Sequence, residues 1–331
     1  MSETLTNIES AERRVTLKEL IQKYMAGDSH EHTVFSNPST RHEADYTFEQ
    51  IFKYVLEEMK EGESGMEFII FVEHPSDAGN PEKVDGNALL EHQNKIHEFS
   101  QIQRDKGIGY PHLISGVEAD IICDDGKGDD EKYWGVNVPQ EVLEQMDFVV
   151  ASKHDLKKVF PEKNGNPNAE ELTKMYMGLM ANPHIDVIGH LNRNVPYETL
   201  TQMDWDKILL QARDTNTALE ININAPMPEW LIIRTIEDGV PIFIGTDAHT
   251  LWEYHQNLPN EIKEKIEGPE ENLHYPLGVR YNFWKKVSKI LRTLESCNAD
   301  PNQIISSSYE RLNAWLSQKS QRAVGNKDAR T

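Results

Sequence analysis

Apolar positions along the chain follow two alternating patterns. Short, nearly unbroken apolar runs recur, among them Phe68-Ile69-Ile70-Phe71-Val72, Phe148-Val149-Val150-Ala151 and Ile242-Phe243-Ile244. Between them lie longer stretches whose apolar residues recur every three or four positions. Continuous runs predict strands buried on both faces, as in a parallel sheet, and the helical-period stretches predict the layer that covers it. Seven strands are expected, ending at 29–32, 68–74, 113–118, 148–154, 187–190, 218–222 and 242–249. A first helix carries Leu17, Leu20, Ile21 and Tyr24 at helical spacing, and further helices are expected over 48–60, 87–106, 168–180 and 204–214. Thr47 is placed to cap the 48–60 helix, with Gln50 in capping-box position.

Strand and helix alternating in this way imply an α/β fold. Because each strand ends in a residue able to bind metal or handle protons, the expected architecture is a closed barrel of seven βα units, related to the eight-stranded TIM barrel, with its site at the strand C-termini. No linker interrupts the pattern, so residues 1–317 are expected to form a single domain. Its N-terminal helix falls within 1–25 and its C-terminal helices, 280–317, pack on the barrel. Segments 124–132 and 161–168 read as surface loops, and 318–331 as a flexible tail.

Composition narrows the partners. The chain has 331 residues and a formal net charge of −21. That charge disfavours nucleic acid and anionic membrane as general partners. No apolar stretch is long enough to span a membrane, and the first thirty residues lack a signal-peptide core. With only two cysteines, Cys123 and Cys297, a reduced, cytoplasmic setting is expected. The charge is uneven: 280–331 carries ten basic and four acidic residues. Trp284, Val287, Leu291 and Leu294 form an apolar stripe there, so Lys285, Lys289 and Arg292 read as its solvated face.

Thirteen histidines are the compositional oddity. His30 and His32 are two apart, so on a strand both imidazoles project to one face; Asp247 and His249 repeat that spacing at the last strand. The first and last strands of a barrel are neighbours. His74, Glu118, His154 and His190 close the strands between. Several unpaired polar groups in one mouth would cost roughly 1–3 kcal/mol each. Coordination removes that cost, and the mixed N and O donors suit zinc, manganese or iron.

The ordered motifs Asp28-Ser29-His30-Glu31-His32, Glu73-His74, Gly116-Val117-Glu118, Ser152-Lys153-His154, Ile188-Gly189-His190, Glu220-Ile221-Asn222 and Gly245-Thr246-Asp247-Ala248-His249 resemble the PHP (polymerase and histidinol phosphatase) family. The resemblance implies a distorted seven-stranded barrel, two or three divalent ions, and phosphoester hydrolysis by a metal-activated water without a Ser or Cys nucleophile. It carries the ligand roles onto His30, His32, His74, Glu118, His154, His190, Asp247 and His249, with Glu118 bridging two ions. Glu118, Asp247 and His249 are the expected catalytic residues. Where the family has a further ligand past the HxH pair, this chain has Pro38, and His42 is the expected substitute.

Supporting residues follow. Arg193 is expected to bind a substrate phosphate, since a guanidinium matches it bidentately. Lys153 alternates away from His154, toward a helix. Asp28 and Glu73 either orient histidines through the second ring nitrogen or cap turns, and Glu220 and Asn222 match the strand-six motif. His92, His97, His112, His184, His255 and His274 read as surface or loop residues.

The expected function is a metal-dependent phosphomonoesterase, histidinol-phosphatase-like, acting on a small phosphorylated metabolite or nucleotide. The alternative is a PHP-type nuclease or phosphodiesterase. An amidohydrolase barrel or an inert binding module fits the ligand pattern less well.

Overall fold

The computed structural model describes residues 15–36, 46–60, 66–75, 84–124, 133–248 and 277–328. Its strands are β1 (Gly27–Glu31), β2 (Phe68–Glu73), β3 (His112–Asp124), β4 (Tyr133–Val136), β5 (Phe148–Ser152), β6 (Val187–Ile188), β7 (Ala218–Asn222) and β8 (Ile242–Gly245). The path β1-β2-β3-β5-β6-β7-β8 is parallel at every step.

The ring closes between β8 and β1, unevenly. At the C-terminal end Glu31 bridges Ala248, and the Asp247 amide donates to the His30 carbonyl at 2.9 Å. At the N-terminal end a short helical turn, Ile305–Ser307, wedges between the two strands. There Ala26 N donates to the Ser306 carbonyl (3.1 Å), and Ile244 N donates to the Ser306 hydroxyl (3.1 Å). The result is the expected distorted barrel of seven parallel strands.

Strands β2, β5, β7 and β8 are buried throughout because both faces meet apolar layers. Inside lie Phe68, Ile70, Phe148, Val150 and Phe243, plugged from below by Leu312 and Trp315. Outside, Val149, Ile188, Leu219 and Ile244 meet helix residues such as Leu172, Leu179, Ile208 and Leu231. Helix starts follow their caps. Asn168 accepts from Glu171 N and Asp204 from Lys207 N, so the helices Ala169–Met180 and Trp205–Asp214 begin one residue after the expected start. Thr47 and Gln50 form the expected reciprocal pair, at 2.8 and 3.3 Å.

Two segments differ from the sequence expectation. β3 runs past Glu118 because Tyr133–Val136 pairs antiparallel with Ile121–Asp124. The helix Tyr309–Asp328 continues through most of the segment expected to be a flexible tail. In the helix Leu277–Ser296, Val287, Leu291 and Leu294 are buried while Lys285 and Lys289 are exposed; the Trp284 side chain lies outside the described residues. No helix among the described residues is long and apolar enough to cross a membrane.

Candidate metal centre

The polar end of the barrel is built by the strand C-termini. Between the pairs Asp28↔Ile69 and Glu31↔Phe71, β1 carries one residue more than β2, a bulge of the kind that re-aims side chains beside sites. His30 and His32 project to the same side, their Nε2 atoms 3.2 Å apart. Between them and the opposite wall stands the Glu118 carboxylate. Its Oε2 lies 3.4 Å from each of His30 Nε2, His32 Nε2 and His74 Nδ1. Its Oε1 lies 2.9 Å from His190 Nε2 and 3.3 Å from His154 Nε2. Asp247 Oδ1 completes the first wall, 3.8 Å from His30 Nε2 and 3.5 Å from His32 Nε2.

These atoms form three overlapping groups able to hold a cation: His30, His32 and Asp247; His32, His74 and Glu118; and Glu118, His154 and His190. The donors fit the purpose. Ligands about 2.0–2.1 Å from a tetrahedral ion stand about 3.4 Å from one another, the spacing found here. Glu118 Oε2 is buried, yet it accepts no hydrogen bond among the described residues, a costly arrangement that a cation among its three imidazole neighbours resolves.

Outer partners aim the imidazoles. His30 Nδ1 lies 2.6 Å from Glu220 Oε1, and His154 Nδ1 lies 2.6 Å from Asp120 Oδ1. Each carboxylate holds a proton on Nδ1 and leaves Nε2 free for the cluster. His32 is fixed by a hydroxyl: Ser36 Oγ spends its one proton on Glu73 and accepts from His74 N at 3.0 Å. The Nδ1 of His32, 3.2 Å away, must therefore donate to Ser36. Glu220 Oε2 also accepts from His190 N at 2.7 Å, so one carboxylate serves two strands.

Close approach explains the local glycines. A Cβ at Gly245 would collide with Glu220 Oε1 and stand 2.7 Å from the His30 Cβ, and one at Gly189 would collide with Ser152 Oγ. Asp247 adopts φ 55°, a left-handed conformation that aspartate tolerates better than most residues and that recurs at functional sites.

The cluster polarises its own members. Burial opposes charge on His30, but Glu220 and Glu118 outweigh it and hold the imidazole well above its usual pKa. Likewise burial opposes charge on His154, yet Glu118 and Asp120 lift it to about 10. Burial would raise Glu118, but His154 and His30 hold it well below the ordinary carboxylate value. His74 is driven well down, first by burial and then by His32. Lys153, 1% exposed, is lowered to about 7 by burial and then by Arg193.

Seven expected ligands thus converge: His30, His32, His74, Glu118, His154, His190 and Asp247. His42 and His249 lie outside the described residues, as does Pro38. Arg193 reaches the rim, its Nη1 3.7 Å from Asp247 Oδ2. Asp28 bonds no imidazole; its carboxylate accepts from His30 N (3.1 Å) and Thr246 N (3.2 Å), tying β1 to the end of β8. Asn222 Nδ2 lies 3.3 Å from Asp247 Oδ2.

Sequence reasoning missed Asp120 and His92. Asp120 is two residues past Glu118 on the same strand face, a period-two signal that was available. His92 sits on a helix, 7% exposed, with Nε2 3.2 Å from Glu73 Oε1. No strand-end pattern could have found it.

No protein-family model matches the chain. A probable phosphatase of Caldanaerobacter subterraneus subsp. tengcongensis is 23% identical over 260 residues, covering 74% of this chain and 84% of that protein. The DNA polymerase/3'-5' exonuclease PolX of Bacillus subtilis is 33% identical over 150 residues, 42% of this chain but 22% of that protein. The crystal structure of histidinol phosphate phosphatase from Lactococcus lactis, complexed with zinc, L-histidinol and phosphate, overlaps 83% of this chain and 95% of its own at 16% identity and a TM-score of 0.48. Taken together, the ordered motifs, the grouped metal-binding side chains and the relatives in sequence support a PHP-type family of metal-dependent phosphoesterases.

Proposed function

We propose that the protein is a phosphomonoesterase of the histidinol-phosphatase-like type, acting on a small phosphorylated metabolite. The observation that carries this reading is the Glu118 carboxylate, shared between two groups of imidazoles on opposite walls. In this reading His30, His32 and Asp247, joined by His249, hold one divalent ion. His74 and Glu118, with His32 and His42, hold a second, and Glu118, His154 and His190 a third, giving two or three ions of zinc, manganese or iron. Bound there, such ions would supply Lewis-acid polarisation of phosphoryl oxygens and would lower the pKa of a bound water.

The chain's own residues do the rest. Glu220, Asp120 and Ser36 keep the protons of His30, His154 and His32 on Nδ1, so that Nε2 stays available. Arg193, with its side chain 43% exposed, is free to turn from Asp247 and pair with a phosphate oxygen. The net charge of −21 bears on substrate size, favouring a compact phosphate over a long polyanion.

A PHP-type nuclease is the second reading, favoured by the similarity to a polymerase/exonuclease over 150 residues. Incubating the protein with p-nitrophenyl phosphate, sugar phosphates, histidinol phosphate and labelled oligonucleotides, with manganese, zinc and iron supplied separately, distinguishes the two. Phosphate release from monoesters is expected. Degradation of oligonucleotide alone would overturn the first reading in favour of the second.

A further inference from the structure

Lys153 lies immediately before His154, beyond the end of β5, yet it points away from the cluster. Its amine is buried and forms no ion pair among the described residues. It donates instead to two backbone carbonyls, Leu191 O at 2.8 Å and His190 O at 3.3 Å. The Leu191 carbonyl accepts a second bond, from the Tyr176 hydroxyl at 2.7 Å, and the Tyr176 ring lies 5.9 Å from the amine. Filling space does not explain this choice. Burying an amine without a carboxylate is unfavourable, and a methionine would occupy similar volume without that penalty.

What the amine gains is a grip on one turn. The His190 carbonyl also accepts from Arg193 N at 2.8 Å, which closes the turn running from His190 to Arg193. That turn carries at one end the imidazole 2.9 Å from Glu118 and at the other the guanidinium that reaches Asp247. His190 has an unusual backbone, φ 20°, and must be held there by its surroundings. We propose that Lys153 is a positioning residue. Through the carbonyls of His190 and Leu191 it fixes the turn that delivers His190 to the metal cluster and Arg193 to the substrate phosphate. The inference rests on the phosphoesterase reading of the site.

Cobalt(II) titration followed by visible absorption, together with competitive inhibition by inorganic phosphate, tests it. Lys153→Met should weaken uptake of the last cobalt ion by about tenfold, alter the absorption bands, and raise the phosphate inhibition constant. Tyr176→Phe, which removes one of the three side-chain bonds to the His190 and Leu191 carbonyls, should shift both readouts in the same direction by less, and Lys153→Arg should recover part of the loss. A purely structural lysine would lower the melting temperature and leave both readouts alone. A folded Lys153→Met protein with wild-type cobalt bands and wild-type phosphate inhibition overturns the proposal. If Lys153→Met does not fold, the same wild-type result in folded Tyr176→Phe overturns it. A wild-type protein that takes up no cobalt would overturn the site reading itself, and the inference with it.

Discussion

The two ends of the barrel are made from the same strands and have opposite interiors. β5 contributes Phe148 at its start, and His154 follows just beyond its end; β8 begins with Ile242-Phe243 and leads to Asp247. At the N-terminal end the rings of Phe148, Phe243 and Trp315 pack with centroids 5.3 and 5.4 Å apart in an apolar cluster. At the other end five imidazoles and two carboxylates crowd one space. The apolar end is complete as folded, because dispersion and burial need no outside partner. The polar end is not, since charged groups this close and this buried are costly until a cation joins them. Each strand therefore divides its length between holding the barrel and equipping it.

That division can be broken experimentally. The largest stability change is expected for Phe243→Ala at the apolar end, about 3–5 kcal/mol by denaturant unfolding. Turnover per folded molecule should be retained, and its collapse would show that the two ends are coupled. At the polar end Glu118→Gln is expected to lower kcat/KM by at least about a hundredfold with the circular dichroism spectrum unchanged. Retained turnover would mean that the ligand set is misassigned. Asp120→Asn sharpens the picture. It keeps one acceptor for His154 Nδ1 but loses the charge, so a drop of about tenfold in kcat/KM is expected.

Much of this division is visible in the one-dimensional pattern. Runs such as Phe68-Ile69-Ile70-Phe71-Val72, short and rich in β-branched and aromatic residues, read as strands covered on both faces, and a histidine or carboxylate following such a run marks the polar end. The HxH pair was legible because extended backbone repeats every two residues. Other features depend on contacts between distant segments. β4 is four residues long and follows an acidic stretch of sequence, so only its pairing with the overhang of β3 gives it away. His92 reaches Glu73 from a helix, and Lys153 meets carbonyls 37 and 38 residues away, distances over which spacing rules carry no information. Asp28 left two roles open in the sequence: the local one is observed, since its carboxylate accepts from His30 N two residues on, but its second partner, Thr246, lies 218 residues away.

The apolar end has a titratable pair of its own, on the outside. His97, on the helix Gly86–Asp105, meets Asp147 at 2.6 Å, just before β5 begins. The hydrogen bond to Asp147 raises the imidazole above its ordinary 6.5, outweighing the opposing effect of burial. A group that holds its proton more tightly when folded stabilises the fold while protonated. The contribution is therefore complete below the unfolded value near 6.5 and disappears as pH rises through the raised folded value. With the histidine 46% exposed, solvent screening keeps the pair within about 1 kcal/mol. His97→Gln should accordingly be less stable than the wild type at mildly acidic pH and converge with it in alkaline solution. A difference independent of pH would assign the loss to packing. A fall in kcat would show that the outer foot of the barrel communicates with the metal end, against the division drawn above.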